Sequence, residues 1–273
     1  MSLVFNHETV KKYTIPLDHD IESEVMSSYQ RSEIGNLRIK EYMGWEYNVP
    51  EDFGQFLYLS QVLQAEGIRM PRCMGCLYWQ LNDCWPVSSW ASADYYGNWK
   101  ALHYTIRKTF ELVILSVYED TSLLKVFSVS DRVNDFVGTL LIKVLSFSGK
   151  KIRELKMPVQ VVIHCFLMEE DKVLFNALHY LLAPKELKLH DRPIIKLKLS
   201  DSDEWVSLRI SSSKLVKNLM LYMPEYQILF SENYFDLLPG EKKEVYLHTS
   251  LKAIDLKGKI RYRHVPGTVY ERY

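Results

Sequence analysis

Apolar residues recur along this chain with two different periods, and the change between them falls near residue 112. Up to that point the spacing is three and four. The stretch NVPEDFGQFLYLSQVLQAEG predicts a helix with Asn48 as its cap and Pro50 and Glu51 in the first turn. Phe53, Phe56, Leu57 and Leu63 fall on one face, and Gly67 is its stop. IGNLRIKEYMGWEY reads in the same way. Residues 73–80 are a nearly unbroken apolar run, the pattern of a strand buried on both faces, closed by Asn82 and Asp83. GNWKALHYTIRKTFE returns to helical spacing, with Asn98 as cap and Trp99, Leu102, Ile106 and Phe110 along one side. Helix, buried strand, loop and helix is the local order of an α/β barrel or a doubly wound sheet.

Beyond residue 112 the period drops to two. GTLLIKVLSFSGKKIREL predicts two strands around a Ser-Gly turn, and IIKLKLS, WVSLRIS and EVYLHTS alternate apolar with polar positions. Short strands at regular spacing argue for β-sandwiches. Two are expected, because residues 184–193 form a polar, strand-poor joint with enough strands on either side. The boundaries are placed near 115 and 184, which divides the chain into residues 1–115, 116–183 and 184–273.

Composition adds mainly exclusions. The 273 residues are 47% hydrophobic, enough to build real cores. Lys plus Arg equals Asp plus Glu at 34 each, so no overall charge draws the chain to nucleic acid or to a membrane surface. No apolar run approaches the roughly 18 residues of a membrane span, and the N-terminus has no basic region followed by an apolar one. A soluble chain with neither nucleic acid nor membrane as partner is expected.

The chemistry concentrates in residues 73–104, which hold four of the six tryptophans and three of the four cysteines. Cys73 and Cys76 are spaced as a metal or redox pair, but no second pair or nearby His completes a zinc set. A redox pair belongs at a helix N-terminus rather than within a strand. Free thiols, no metal and no cofactor are therefore expected. His103, within a helical stretch, reads as a packed side chain with a hydrogen bond. No nucleophile elbow, phosphate-cradling loop or zinc-protease helix occurs. The aromatic density beside the amides and carboxylate of YWQLNDCW fits two readings, a platform for the flat apolar face of a sugar or a core packed between strand and helix.

The segment CLYWQLNDCWPVSSWASADYYGNWKALHY resembles the eighth-strand region of β-mannosidases of glycoside hydrolase family 2. The resemblance continues through VKKYTIP, QRSEIGNLRIKEYM, FLYLSQVLQAEGI, VSDRVNDFVGTL and FSENYFDLLPGE. It implies an α+β multidomain chain: a partial (β/α)8 barrel remnant up to about residue 112, then two immunoglobulin-like β-sandwiches. It also implies a retaining hydrolase with two glutamates, one of them in a Ser-Glu-Phe-Gly type segment, and neither motif is found here. The expectation is therefore the C-terminal part of an enzyme acting on terminal β-mannosides, with no catalytic residue of its own and inactive alone.

By the same resemblance Trp79 floors the sugar pocket. Asn82 and Asp83 either support that pocket by hydrogen bonding or are purely structural, and Trp85 either borders it or packs beneath. The implied partners are a β-linked mannose-containing saccharide and the missing N-terminal portion, or a second copy. One departure stands out: family chains carry an Arg- and His-rich stretch where EGIRMPRCMG joins helix to strand almost directly. The rival reading is a non-catalytic carbohydrate-binding or assembly module whose β-sandwiches do the work.

Overall fold

A computed structural model describes residues 7–30, 32, 34–68, 77–121, 123–152, 160–202 and 204–266. The described chain is mostly β-structure, with its main helices gathered in the first third. These are α1 (His7–Val10), α2 (Glu24–Ser28), α3 (Gly35–Glu46), α4 (Phe53–Ile68) and α5 (Ala101–Thr109). Helix α4 begins four to five residues later than its sequence suggests. Asp52, not Asn48, closes its first turn: its carboxylate accepts the Gln55 N–H at 2.6 Å and its carbonyl accepts the Phe56 N–H at 2.9 Å. The helix also runs past Gly67 to Ile68. Asn98 does not cap α5 either, because both its backbone N–H and its side-chain amide donate to Asp94, at 2.8 and 2.9 Å, leaving Lys100 in the cap position.

The expected strand over residues 73–80 lies partly outside the described residues, as do Cys73, Cys76 and most of the shortened EGIRMPRCMG junction. Its described part, residues 77–80, is not a strand, and Leu77 and Trp79 are exposed. A doubly buried strand needs a neighbour on each side. Among the described residues the segment pairs with no strand: Gln80 accepts one N–H from Ser92, and the isolated bridge to Ala93 begins only at Asn82.

A first β unit follows. Strands β1 (Val113–Asp120) and β2 (Leu123–Ser130) pair antiparallel, and β3 (Thr139–Ser146), β4 (Val161–Glu169) and β5 (Lys172–Tyr180) form a second antiparallel sheet in that order. Val113 and Leu115 meet Ile163, Cys165, Leu167 and Phe175 in the core between the sheets. After β3 the chain turns at Gly149, whose φ of +83° suits a residue without Cβ.

The C-terminal β unit contains β6 (Ile195–Asp201), β7 (Val206–Ser212), β8 (Val216–Tyr222), β9 (Leu229–Phe230), β10 (Phe235–Leu237), β11 (Lys242–His248) and β12 (Arg261–Val265), with the short helix α6 (Ala253–Leu256) before the last strand. The strands form two facing antiparallel sheets, β6-β7-β11-β9 and β10-β8-β12. Leu208, Ile210, Leu219, Leu221, Val245 and Leu247 fill the space between them. The outer face of the second sheet is covered as well. Met220, Tyr222, Tyr234 and Val265 join one core with Ile39, Met43, Leu57, Tyr58 and Val62 of α3 and α4. Every residue of β8 is consequently buried.

Polar groups fix how the helices sit on this sheet. The Glu66 carboxylate accepts from Lys217 Nζ at 3.1 Å, Asn218 Nδ2 at 3.0 Å and the Tyr47 hydroxyl. Asn218 adopts φ +52°, and the pairing of both neighbouring strands slips beside it, so a bulge presents its carbonyl to the Tyr58 hydroxyl at 2.5 Å. Asp236 accepts from the Asn218 N–H at 2.7 Å and from the Tyr180 hydroxyl, also at 2.7 Å, which ties the first β unit to the same junction.

Candidate functional site

The site is built by residues 77–100. Tyr78 turns inward onto Ile68, Leu102 and Ile106, anchoring the segment against α5. Trp79 is 72% exposed, and Leu77 and Leu81 are exposed beside it in sequence. The Trp79–Gln80 peptide is cis. Immediately afterwards the chain is clasped by the returning loop. Gln80 and Leu81 carbonyls accept the N–H groups of Ser92 and Ala93 at 3.3 and 2.9 Å, Ser92 Oγ donates to the Leu81 carbonyl at 3.1 Å, and Asp83 N–H donates to the Ala93 carbonyl at 3.2 Å.

A second clasp lies beneath. Lys100 Nζ sits 3.2 Å from Asp83 Oδ2 and 3.2 Å from Ser89 Oγ, with both charged side chains wholly excluded from solvent. Burial lowers the Lys100 pKa, while Asp83 pulls it back toward the charged form. The other carboxylate oxygen, Asp83 Oδ1, has no hydrogen-bond partner among the described residues.

The four residues singled out from the sequence therefore take different positions. Trp79 and Asn82 are exposed, and the Asn82 amide donates to the neighbouring Asp83 carbonyl at 3.3 Å. Asp83 is buried and faces Lys100. Trp85 is half-buried, its ring 5.7 Å from that of Tyr29, which in turn stacks on Tyr13 at 4.0 Å. His103 stacks on Trp99 at 4.2 Å, and burial followed by the nearby Arg107 lowers its pKa. Cys84 and Cys165 are free thiols, exposed and buried respectively. Among the described residues no group of His, Cys, Asp or Glu has a metal-binding arrangement.

Sequence reasoning did not single out Lys100 or Ser92 for this site. The available signal was a lysine between Trp99 and Ala101 at the start of an apolar helix face, a position where a charge is tolerated only with a partner. Chemically, residues 77–83 offer an exposed indole and an exposed amide, while their one carboxylate is withheld from the surface.

Comparison with known proteins first defines the class. Residues 189–267 match the Ig-fold domain family Ig_mannosidase, so the C-terminal β unit is an immunoglobulin-fold domain. The relatives then narrow it. The chain is 30% identical over 166 residues to a β-mannosidase of Capra hircus, covering 53% of this chain and 19% of that protein. It is 26% identical over 310 aligned positions to β-mannosidase B of Aspergillus flavus, covering 94% of this chain and 36% of that protein. Its fold matches the crystal structure of a β-D-mannosidase from Dictyoglomus thermophilum with a TM-score of 0.84 at 22% identity, covering 97% of this chain and 36% of that one. The chain is thus similar to β-mannosidases and spans between 19% and 36% of the length of these three. No described helix is long and apolar enough to cross a membrane.

Proposed function

We propose that the chain is the C-terminal part of a β-mannosidase-like retaining glycoside hydrolase, acting on terminal β-mannosides, in which it supplies an aromatic rim of the saccharide pocket. In this reading residues up to about 112 are the last part of a (β/α)8 barrel, and the two β units are immunoglobulin-like domains divided near residues 115 and 184. Trp79 is the platform, Asn82 lies beside it, Asp83 supports it from beneath, and Trp85 packs behind. The observation that carries the proposal is the exposed indole of Trp79 in a segment whose neighbours are otherwise tied down.

Magnitudes define what this rim does. Covering about 80 Å² of sugar and indole at about 25 cal/mol/Å² contributes on the order of 2 kcal/mol. Glycosidic cleavage needs enzyme-scale stabilisation of about 8–23 kcal/mol. Retaining chemistry further requires two carboxyl groups about 5–5.5 Å apart across the scissile bond. No Ser-Glu-Phe-Gly segment occurs in the 273 residues. The chain alone is therefore a sugar-holding part, and its proposed second partner is the polypeptide that carries the glutamates. The exposed Leu77 and Leu81 beside the indole support such an association.

The test is a titration with methyl β-mannoside monitored by tryptophan fluorescence, paired with an aryl β-mannoside assay. The expected result is a saturable fluorescence change, weakened about 30-fold in Trp79→Ala, the factor corresponding to about 2 kcal/mol. No aryl mannoside turnover above the Trp79→Ala control is expected. Turnover above that control overturns the inactivity, and a fluorescence response insensitive to Trp79→Ala overturns the platform.

A further inference from the structure

We infer that Asp83 and Lys100 are positioning residues for the Trp79 rim: their buried ion pair holds the loop between them in the one register that turns indole 79 outward and Tyr78 inward. The inference rests on the proposed saccharide role of Trp79 for its consequence, though not for its geometry.

Three observations carry it. The first is location. Asp83 follows Trp79 by four residues, and Lys100 stands at the cap of α5, the helix whose Leu102 and Ile106 receive Tyr78. The pair therefore connects the outgoing end of the rim segment to the helix on which its inward anchor rests. The second is the intervening hydrogen bonding. The rim is held by a few backbone bonds around Leu81 and Ala93, and Lys100 N–H donates to the Ser92 carbonyl at 2.9 Å on the same strip. Exposure alternates along the segment, with Leu77, Trp79 and Leu81 exposed and Tyr78 and Gln80 half-buried, so a slip of one residue exchanges the directions of Tyr78 and Trp79. Backbone hydrogen bonds alone do not distinguish these registers, since every residue offers the same groups. A buried ammonium does, because only one register brings Asp83 Oδ2 to it.

The third observation is that stability is a poor explanation for the pair. Both charges are fully desolvated, and Asp83 Oδ1 has no partner among the described residues. Such pairs are often no better than apolar side chains of equal volume, and their best attested use is to fix a register. Ser89 Oγ, which accepts the Ala91 N–H at 3.0 Å, holds the ammonium from the other side and restricts it further.

The experiment uses the full chain labelled with 5-fluorotryptophan. The ¹⁹F resonance of Trp79 is assigned by its loss in Trp79→Phe, and its exposure is read from broadening by a soluble gadolinium chelate. In Lys100→Met the chain is expected to stay folded while the Trp79 line shifts or splits and loses at least half its broadening. Methyl β-mannoside affinity should fall about tenfold. If K100M does not fold, the double variant D83L/K100M removes both charges and gives the same readout. An unchanged Trp79 line and unchanged broadening in the folded variant overturn the inference, whatever the sugar does. If the line moves in K100M while the parent's Trp79 line ignores the mannoside, the positioning role stands and the saccharide reading falls.

Discussion

The two β units are built from the same material, antiparallel strands around an intersheet core, yet they bury it differently. Every residue of β8 is buried, whereas none of β3 is, and Leu140, Leu141 and Ile142 are each more than 40% exposed. The cause is the third layer. Helices α3 and α4 share a core with the β10-β8-β12 sheet, while among the described residues no helix packs into the core of the first β unit. A sequence boundary between helical region and β region thus does not coincide with a boundary in packing. The helical part and the immunoglobulin-fold domain share one buried core, although more than a hundred residues of chain separate α4 from β8.

The sharpest way to break this comparison is to remove residues 1–112. The C-terminal β unit then exposes Met220, Tyr222, Tyr234 and Val265. At about 1.5–3 kcal/mol per buried apolar side chain, the loss is on the order of 6 kcal/mol or more, comparable with the whole stability of an ordinary domain. Urea unfolding monitored at Trp205 is expected to shift to much lower denaturant. An unchanged midpoint would show that the β unit stands alone, and would revive the rival reading of an independent binding module.

A smaller effect separates the junction from the surface. Glu66→Gln leaves the buried Lys217 without its carboxylate and is expected to cost about 2–3 kcal/mol, discounted for the partial exposure of Glu66. Arg132→Ala in the first β unit breaks the partly exposed link to Glu169 and is expected to cost less than about 1 kcal/mol. Denaturant titration of both variants checks the ordering, and equal losses would contradict it.

The smallest difference concerns acid. Burial, followed by Lys143 and Lys108 and opposed by a hydrogen bond to Asn176, lowers the His164 pKa from 6.5 to about 4. The neutral ring is the form the fold accepts, so its contribution is complete above pH 6.5 and is lost as pH falls from 6.5 through about 4. His179 adds in the same direction. In the C-terminal unit His264 does likewise. Glu66 acts lower: burial raises its pKa, but Lys217, Tyr47 and Asn218 outweigh that and hold it below 4.5. Its contribution is present above 4.5 and is lost only as pH falls below that value. Unfolding free energy from denaturant titration should therefore fall below pH 6.5, and His164→Leu should flatten that slope by an amount worth a few degrees in melting temperature. A slope unaffected by His164→Leu would remove the ring as its source.

Much of the fold was legible because one side of an element faces water. β6 and β11 alternate burial residue by residue, and IIKLKLS and EVYLHTS show it directly. The helices were legible in place but not at their ends, since Asp52 and Asp94 decide where turns close by capturing particular N–H groups. The aromatic segment marked itself by composition. Periodicity did not say which of its residues face outward, because Tyr78 and Trp79 are adjacent and similar; only the family resemblance pointed to Trp79, and the packing of Tyr78 on Leu102 and Ile106 is tertiary.

The amino-acid pattern by itself determined the order of helical and β regions, the alternating strands and the segment that carries the proposed chemistry. These follow from local geometry and from the contrast between water and core. Tertiary structure alone decided that β8 is covered on both faces, that Glu66 of α4 receives Lys217 and Asn218 from a distant sheet, and that Asp83 turns to Lys100. Those outcomes depend on groups brought together from remote parts of the chain, where desolvation makes each polar atom answer to one particular partner.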